Sequence, residues 1–299
     1  MSKIRIMCTS TGCIEYAPER YRSLGIDIIR IHIFFKGKEH LEGLDLDPVD
    51  FYRELEEIED PKNNLPYTGM PETEELRGHF EKALNDGCDE VIAFALSSAL
   101  GGTYNKICLI AREYEDRMKI KVVDTGITCF GEGLLAIKAA EFANKGMSSD
   151  DIMKEISWMM RHQEFMGVDG RLDYLIYNGR LKGGKAFLGQ MLNMCPVIHF
   201  EEGEIVPLET VRTPKKALMR TCQLIKEKIG DRSPEDYLLW HIYTGPSLID
   251  TLKQIEGAYG ISTNHEDVIM SPVSGAHNGP WLAGYGLAFI RRDDEDINS

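Results

Sequence analysis

Val91-Ile92-Ala93-Phe94-Ala95-Leu96-Ser97-Ser98-Ala99-Leu100-Gly101-Gly102-Thr103-Tyr104 decides the fold class. The unbroken apolar run Val91 to Leu96 has the length and composition of a strand buried on both faces, as in parallel sheets. Two serines and two glycines make the turn, and the amphipathic run from Ile107 to Met118 reads as the next helix. Strand, hydroxyl-rich turn and helix together let N–H groups and small hydroxyls converge on an oxyanion at a helix's positive end.

Outward from this unit, Ile4 to Met7, Ile28 to Phe35 and Ile120 to Val123 read as further strands. Asp47-Pro48 opens a helix as N-cap and first-turn proline, with Phe51, Leu55 and Ile58 on one face. Pro71 begins another, with Glu72, Glu74 and Glu75 in its first turn, and Gly131 to Asn144 carries a helical apolar pattern. Such alternation predicts an α/β fold with a mainly parallel sheet. Past Gly146-Met147-Ser148-Ser149 the pattern changes. A helix capped by Ser149 or Asp150 runs to about His162, and Pro196 to Leu208 reads as a hairpin. Thr213-Pro214 opens a helix, and Tyr237–Tyr243, Asp267–Met270 and Gly286–Ile290 read as strands. The expectation is two domains: an N-terminal α/β domain over 1–150, its mainly parallel sheet flanked by helices, and a C-terminal mixed α/β sheet domain over 151–299.

With 34 Lys+Arg against 48 Asp+Glu, the formal net charge is −14, which argues against a general nucleic-acid binder. No apolar stretch approaches the roughly 20 residues of a membrane span. The first strand starts at once, without a signal-peptide apolar region, so a cytoplasmic protein is expected. The seven cysteines are scattered with no C-x-x-C pair. Cys8 and Cys13 frame Thr9-Ser10-Thr11-Gly12 without a nearby histidine, so reduced thiols are expected there rather than a metal site.

Three polar loops, Thr9 to Gly12, Ser97 to Tyr104 and Asp124-Thr125-Gly126, follow predicted parallel strands, the edge where α/β ligands collect. Tyr67-Thr68-Gly69-Met70-Pro71 precedes a helix. Asn178-Gly179-Arg180-Leu181-Lys182-Gly183-Gly184-Lys185 is a basic glycine-rich loop without P-loop spacing. His277, bracketed by glycines in Ser274-Gly275-Ala276-His277-Asn278-Gly279-Pro280, is placed at a strand end and is poorly suited to core packing. No G-x-S-x-G, H-E-x-x-H or G-x-G-x-x-G motif and no kinase set occurs. A Ser98–His277–Asp124 triad can be drawn, which leaves a Ser/His hydrolase or phosphotransferase as an alternative.

Taken in order, the loops resemble the DegV family, the fatty-acid-binding subunits of bacterial fatty acid kinases. Ser97 to Tyr104 is similar to the family's Ser-Ser-Gly-Leu-Ser-Gly-Thr-Tyr, and Val123-Asp124-Thr125 to its Val-Asp-Ser. Leu172-Asp173-Tyr174-Leu175 with Asn178-Gly179-Arg180, Pro196-Val197-Ile198, Val211-Arg212-Thr213 and Gly275 to Pro280 fall where the family has matching segments. Three segments depart from it. Thr9-Ser10-Thr11-Gly12-Cys13 lacks both acids of the family's Asp-Ser-x-x-Asp, Gly69 replaces a serine, and Trp281 replaces a glycine.

The resemblance implies a carrier without catalytic residues, cofactor or metal. It would hold a long-chain fatty acid at and below the domain interface and present its carboxylate to an ATP-dependent kinase subunit that makes the acyl phosphate. Thr68, Ser97, Ser98 and His277 would bind the carboxylate head group, and Arg180 and Arg212 would dock the kinase. No nucleic acid and no transmembrane segment is implied, and transient membrane contact is allowed. The flexible apolar residues Met159, Met160, Phe165, Met166, Phe187, Leu188, Met191, Leu192 and Met194 suit a tail tunnel, though such a stripe also suits ordinary core packing. Another anionic amphiphile on the same fold is a further alternative.

Overall fold

The computed structural model describes residues 2–184, 195–261, 265–292 and 294–299. The first half is built on a parallel sheet of β1 (Ile4–Thr9), β2 (Asp27–Ile29), β6 (Glu90–Ala95) and β7 (Lys119–Asp124), in the order β2-β1-β6-β7. β1 lies between β2 and β6, in register Ile6↔Ile92 with the latter. The chain order therefore reverses direction beside β1, and the turns after β1 and β6 open onto the crevice that this creates.

The single strand expected over Ile28–Phe35 is two. β2 ends at Ile29, and β3 (His32–Phe35) leaves for a separate antiparallel sheet with β4 (Lys38–Leu41) and β5 (Tyr67–Gly69), ordered β4-β3-β5. Part-buried Arg30 turns out of the run between them to pair with Glu15. Thr68, expected in a loop, thus sits on a strand opposite Ile33.

The second half carries a six-stranded sheet: β8 (Gln163–Asp169), β9 (Cys195–Glu201), β10 (Glu204–Val211), β11 (Tyr237–Tyr243), β12 (Glu266–Ile269) and β13 (Leu282–Phe289). Its order is β10-β9-β8-β13-β11-β12, with every pair antiparallel except β11 and β12. The expected hairpin is β9–β10. The chain reaches this sheet through the helix Ser149–Arg161, capped by Ser148, and the expected boundary at 150/151 lies in that helix's first turn.

The caps follow sequence chemistry. Asp47 accepts the N–H groups of Val49 (2.9 Å) and Asp50 (3.1 Å) ahead of the helix Pro48–Glu56, and Thr213 accepts that of Lys216 (3.3 Å). The helix expected from Pro71 starts at Thr73 instead, because Glu72 and Glu75 form a reciprocal capping box. All seven thiols are free.

The halves meet through buried polar contacts. Tyr52 donates to the carbonyls of Met270 (2.9 Å) and Ser271 (3.1 Å), Tyr174 donates to that of Leu55 (3.2 Å), and fully buried Glu42 accepts the N–H of Val273 (3.1 Å). The short helix Pro272–Asn278 packs there against β3 and β5 of the small sheet, the helix Pro48–Glu56 and the turn after β1.

Candidate functional site

His277, expected at a strand end, lies in the last turn of the helix Pro272–Asn278. The flanking glycines have steric reasons. A Cβ on Gly275 would lie 2.2 Å from the Tyr52 hydroxyl oxygen, and Gly279 has φ +79° and would place a Cβ 2.8 Å from the Tyr174 ring. The glycine–histidine motif therefore lets the helix lie flat on two tyrosines with the imidazole turned the other way.

That imidazole reaches the small sheet. His277 Nε2 is 3.0 Å from Thr68 Oγ1. Both line a cavity of about 100 Å³, whose wall also includes Leu96, Gly101, Arg180, Ile205 and Val273. Burial, and to a lesser extent the adjacent Arg180 charge, pushes His277 down to about 3, so the ring is neutral at physiological pH. Its Nδ1 is buried without a hydrogen-bond partner among the described residues.

Arg180 supplies the cation. Its Nε donates to the Leu100 carbonyl (3.0 Å) and its Nη1 to that of Asn178 (2.5 Å), which fixes the guanidinium against the turn that follows β6. No carboxylate pairs with it among the described residues, in contrast to neighbouring Lys182, which pairs with Glu204 at 2.5 Å. An arginine oriented by two carbonyls and left without a counterion is suited to an incoming anion. Neutral His277 and the Thr68 hydroxyl add hydrogen-bonding capacity without further charge.

The remaining expected residues lie elsewhere. Ser97 Oγ donates to the Gly203 carbonyl (2.7 Å) and accepts the Ala99 N–H (3.3 Å), so it ties the turn to the β9–β10 hairpin. Ser98 is exposed and does not line the cavity, and its N–H donates to Asp124 (3.1 Å). With the Ser98 hydroxyl apart from His277, the Ser98–His277–Asp124 triad is not assembled. Arg212 is exposed at the far end of β10. Seven residues of strand from Ile205, at about 3.3 Å each, put it roughly 20 Å from the Arg180 loop, so the two arginines form no common patch.

The apolar stripe is not one surface. Met159 and Phe165 pack in the larger core cluster and Met166 in the cluster on the opposite face of the mixed sheet, as the alternation of β8 requires. Phe187, Leu188, Met191, Leu192 and Met194 lie outside the described residues, as does Lys185.

Sequence reasoning missed Glu132. This carboxyl is fully buried, and it accepts hydrogen bonds from the hydroxyls of Thr9 and of Thr11 (2.8 Å). Burial pushes it well above the ordinary carboxyl range, against the opposing hydrogen bonds from Thr9 and Thr11. The first loop thus receives an acid from the helix Phe130–Asn144. The available signal was one charged residue in the otherwise apolar opening Phe130 to Ile137.

Comparison with known proteins agrees with this architecture. The DegV family, described as "Uncharacterised protein, DegV family", matches residues 3–289. A DegV domain-containing protein of Listeria monocytogenes is 30% identical over 283 residues, 94% of this chain and 97% of its own. A fatty acid binding DegV family protein from Streptococcus agalactiae superposes with a TM-score of 0.86 at 27% identity, covering 97% of this chain and 100% of its own. DegV of Bacillus subtilis, described as a fatty acid binding protein, gives 0.81 at 29% identity with the same coverage. By sequence over nearly its whole length and by fold, this chain belongs to the DegV family.

Proposed function

We propose that this chain binds a long-chain fatty acid and holds its carboxylate at the corner formed by Arg180, Thr68 and His277. The observation that carries this reading is the Arg180 guanidinium, positioned by two carbonyls beside a neutral imidazole and lacking a carboxylate partner among the described residues. The first carbons of the chain lie against Leu96, Ile205 and Val273. The fatty-acid-binding descriptions of the Streptococcus agalactiae and Bacillus subtilis proteins support the ligand class.

A tail of about 15 methylenes at roughly 0.8 kcal/mol each supplies about 12 kcal/mol of gross transfer energy, before ordering costs. The cavity of about 100 Å³ is below the roughly 300–1,000 Å³ of sites that enclose a drug-sized ligand. In this reading the corner is a head-group site, and its apolar wall parts to admit the rest of the chain. The carboxylate is then presented to a separate ATP-dependent kinase subunit, with exposed Arg212 as a docking contact. Arg180, which the resemblance implies as a second docking arginine, acts on the ligand instead. Ser97 positions the turn rather than touching the carboxylate.

Denaturing the purified protein, extracting it with organic solvent and identifying the lipid by mass spectrometry tests the ligand. Stoichiometric long-chain acid is expected. Repeated absence of lipid, with no thermal shift on adding fatty acid, overturns the proposal, and a different amphiphile in the extract replaces the ligand.

A further inference from the structure

A second cluster of functional groups lies on the mixed sheet, away from the cavity. His241 is on β11, Glu256 ends the helix Pro246–Glu256, and His265 immediately precedes β12. Tyr285 faces His241 across the β11–β13 pair. The side chains of His241, Glu256 and His265 are each only 3% exposed.

Three ligand-type atoms converge there. His241 Nε2 is 2.9 Å from Glu256 Oε2 and 2.8 Å from His265 Nε2, and the last two are 3.3 Å apart. The other ring nitrogen, His241 Nδ1, is 2.7 Å from Asp267 Oδ1, which in turn pairs with Lys253. Tyr285 donates its hydroxyl to Glu256 Oε2 at 2.7 Å. His241 Nε2 thus faces Glu256 Oε2 and His265 Nε2 at once, while its Nδ1 is held by Asp267. A shared proton is directional and serves one edge of this triangle. A cation above the triangle serves all three atoms at once.

We propose that His241, Glu256 and His265 form a zinc-binding site. Two imidazole nitrogens and one carboxylate oxygen suit Zn²⁺ among the divalent ions. Tetrahedral ligands at about 2.0–2.1 Å from zinc lie about 3.3 Å apart, so the triangle needs to open by only a few tenths of an ångström. Asp267 stands where an outer carboxylate orients a metal-bound histidine, and Tyr285 does the same for Glu256. His265 also borders a groove of about 530 Å³ with Trp240 and Glu266, which gives the ion a route in. With three protein ligands, the site leaves the fourth position of a tetrahedral zinc to a water molecule. It clips the end of the helix Pro246–Glu256 and the start of β12 onto β11, closing the connection that places the edge strand. No motif spacing announces it, since the three residues come from three different elements.

The test uses full-length protein stripped with chelator and dialysed, then titrated with Zn²⁺ alone and with Co²⁺ as a spectroscopic substitute. Expected are one zinc per chain by elemental analysis, a rise in Tm on adding zinc, and visible Co²⁺ bands of a low-symmetry four- or five-coordinate site. His265→Gln is expected to lose stoichiometric zinc and the Tm response while keeping the far-UV circular dichroism of the wild type. Asp267→Asn is expected to keep the site with affinity lowered by about 10- to 100-fold. If wild-type protein takes up no zinc, the cluster is a proton-sharing network and the proposal fails. If His265→Gln takes up as much as wild type, the ion sits on other groups, such as the free thiols, and the proposal fails equally. Should His265→Gln not fold, the Asp267→Asn affinity decides: unchanged zinc affinity overturns the assignment.

Discussion

Replacing Arg180 separates the head-group reading from a purely structural one. Its guanidinium makes two hydrogen bonds to the carbonyls of Leu100 and Asn178, which leaves its other N–H groups for a ligand. A hydrogen bond to a charged partner contributes about 1.5–3 kcal/mol. At about 1.4 kcal/mol per decade, Arg180→Gln is expected to weaken fatty-acid binding by about 10- to 150-fold. The same change removes a donor from two carbonyls, at about 1 kcal/mol each, and so disturbs the turn after β6. Comparing a fatty acid with the fatty alcohol of equal length resolves the two effects. Displacement of a fluorescent fatty-acid probe from delipidated protein measures both ligands. The charge contact predicts a large loss for the acid and a small one for the alcohol, with Arg180→Lys intermediate because the fork geometry is lost. Equal losses for acid and alcohol would refute the reasoning and leave Arg180 a scaffold for the turn.

Three further outcomes follow from named contacts. His277 is held down to about 3 in the fold against about 6.5 when exposed, so the unfolded chain binds more protons between those values. Stability is then full above about pH 6.5 and falls as pH drops, by about 3 kcal/mol near pH 4, and His277→Gln flattens that acid arm in denaturant titrations. Glu132 is shifted upward, so the folded chain holds its proton where the unfolded chain has lost it, and stability declines as pH rises from the ordinary carboxyl range. Glu132→Gln removes that decline, and a variant whose Tm–pH profile parallels the wild type refutes the upward shift. Gly275→Ala drives a methyl group into the Tyr52 ring and is expected to cost about 1–3 kcal/mol, read as a lowered urea midpoint with unchanged slope. No loss of stability there would mean that the helix is not seated on Tyr52.

The strands of the parallel sheet were legible because continuous apolar runs such as Val91 to Leu96 occur where both faces are covered. Caps at Asp47 and Thr213 were legible because they act locally. The split of Ile28–Phe35 was not, since a sheet change leaves no mark on composition when both parts are buried. Ser97 looked like a ligand residue because a hydroxyl in a glycine-rich turn has two uses, and only the distant Gly203 carbonyl decides between them. His277 stood out by its glycine-bracketed setting and Thr68 entered through the family resemblance, but their meeting depends on how the small sheet and the helix Pro272–Asn278 dock. Arg180 was singled out for its loop, and its direction toward the cavity depends on carbonyls outside any local pattern.

The Thr68–His277 contact joins residues 209 positions apart in the chain. Neither half of the polypeptide carries the anion corner alone. A ligand touching both sides therefore strengthens their mutual affinity by the same factor by which their docking strengthens ligand binding. A chain cut between the two halves and supplied as two fragments would turn this reciprocity into a reporter, with lipid driving reassembly.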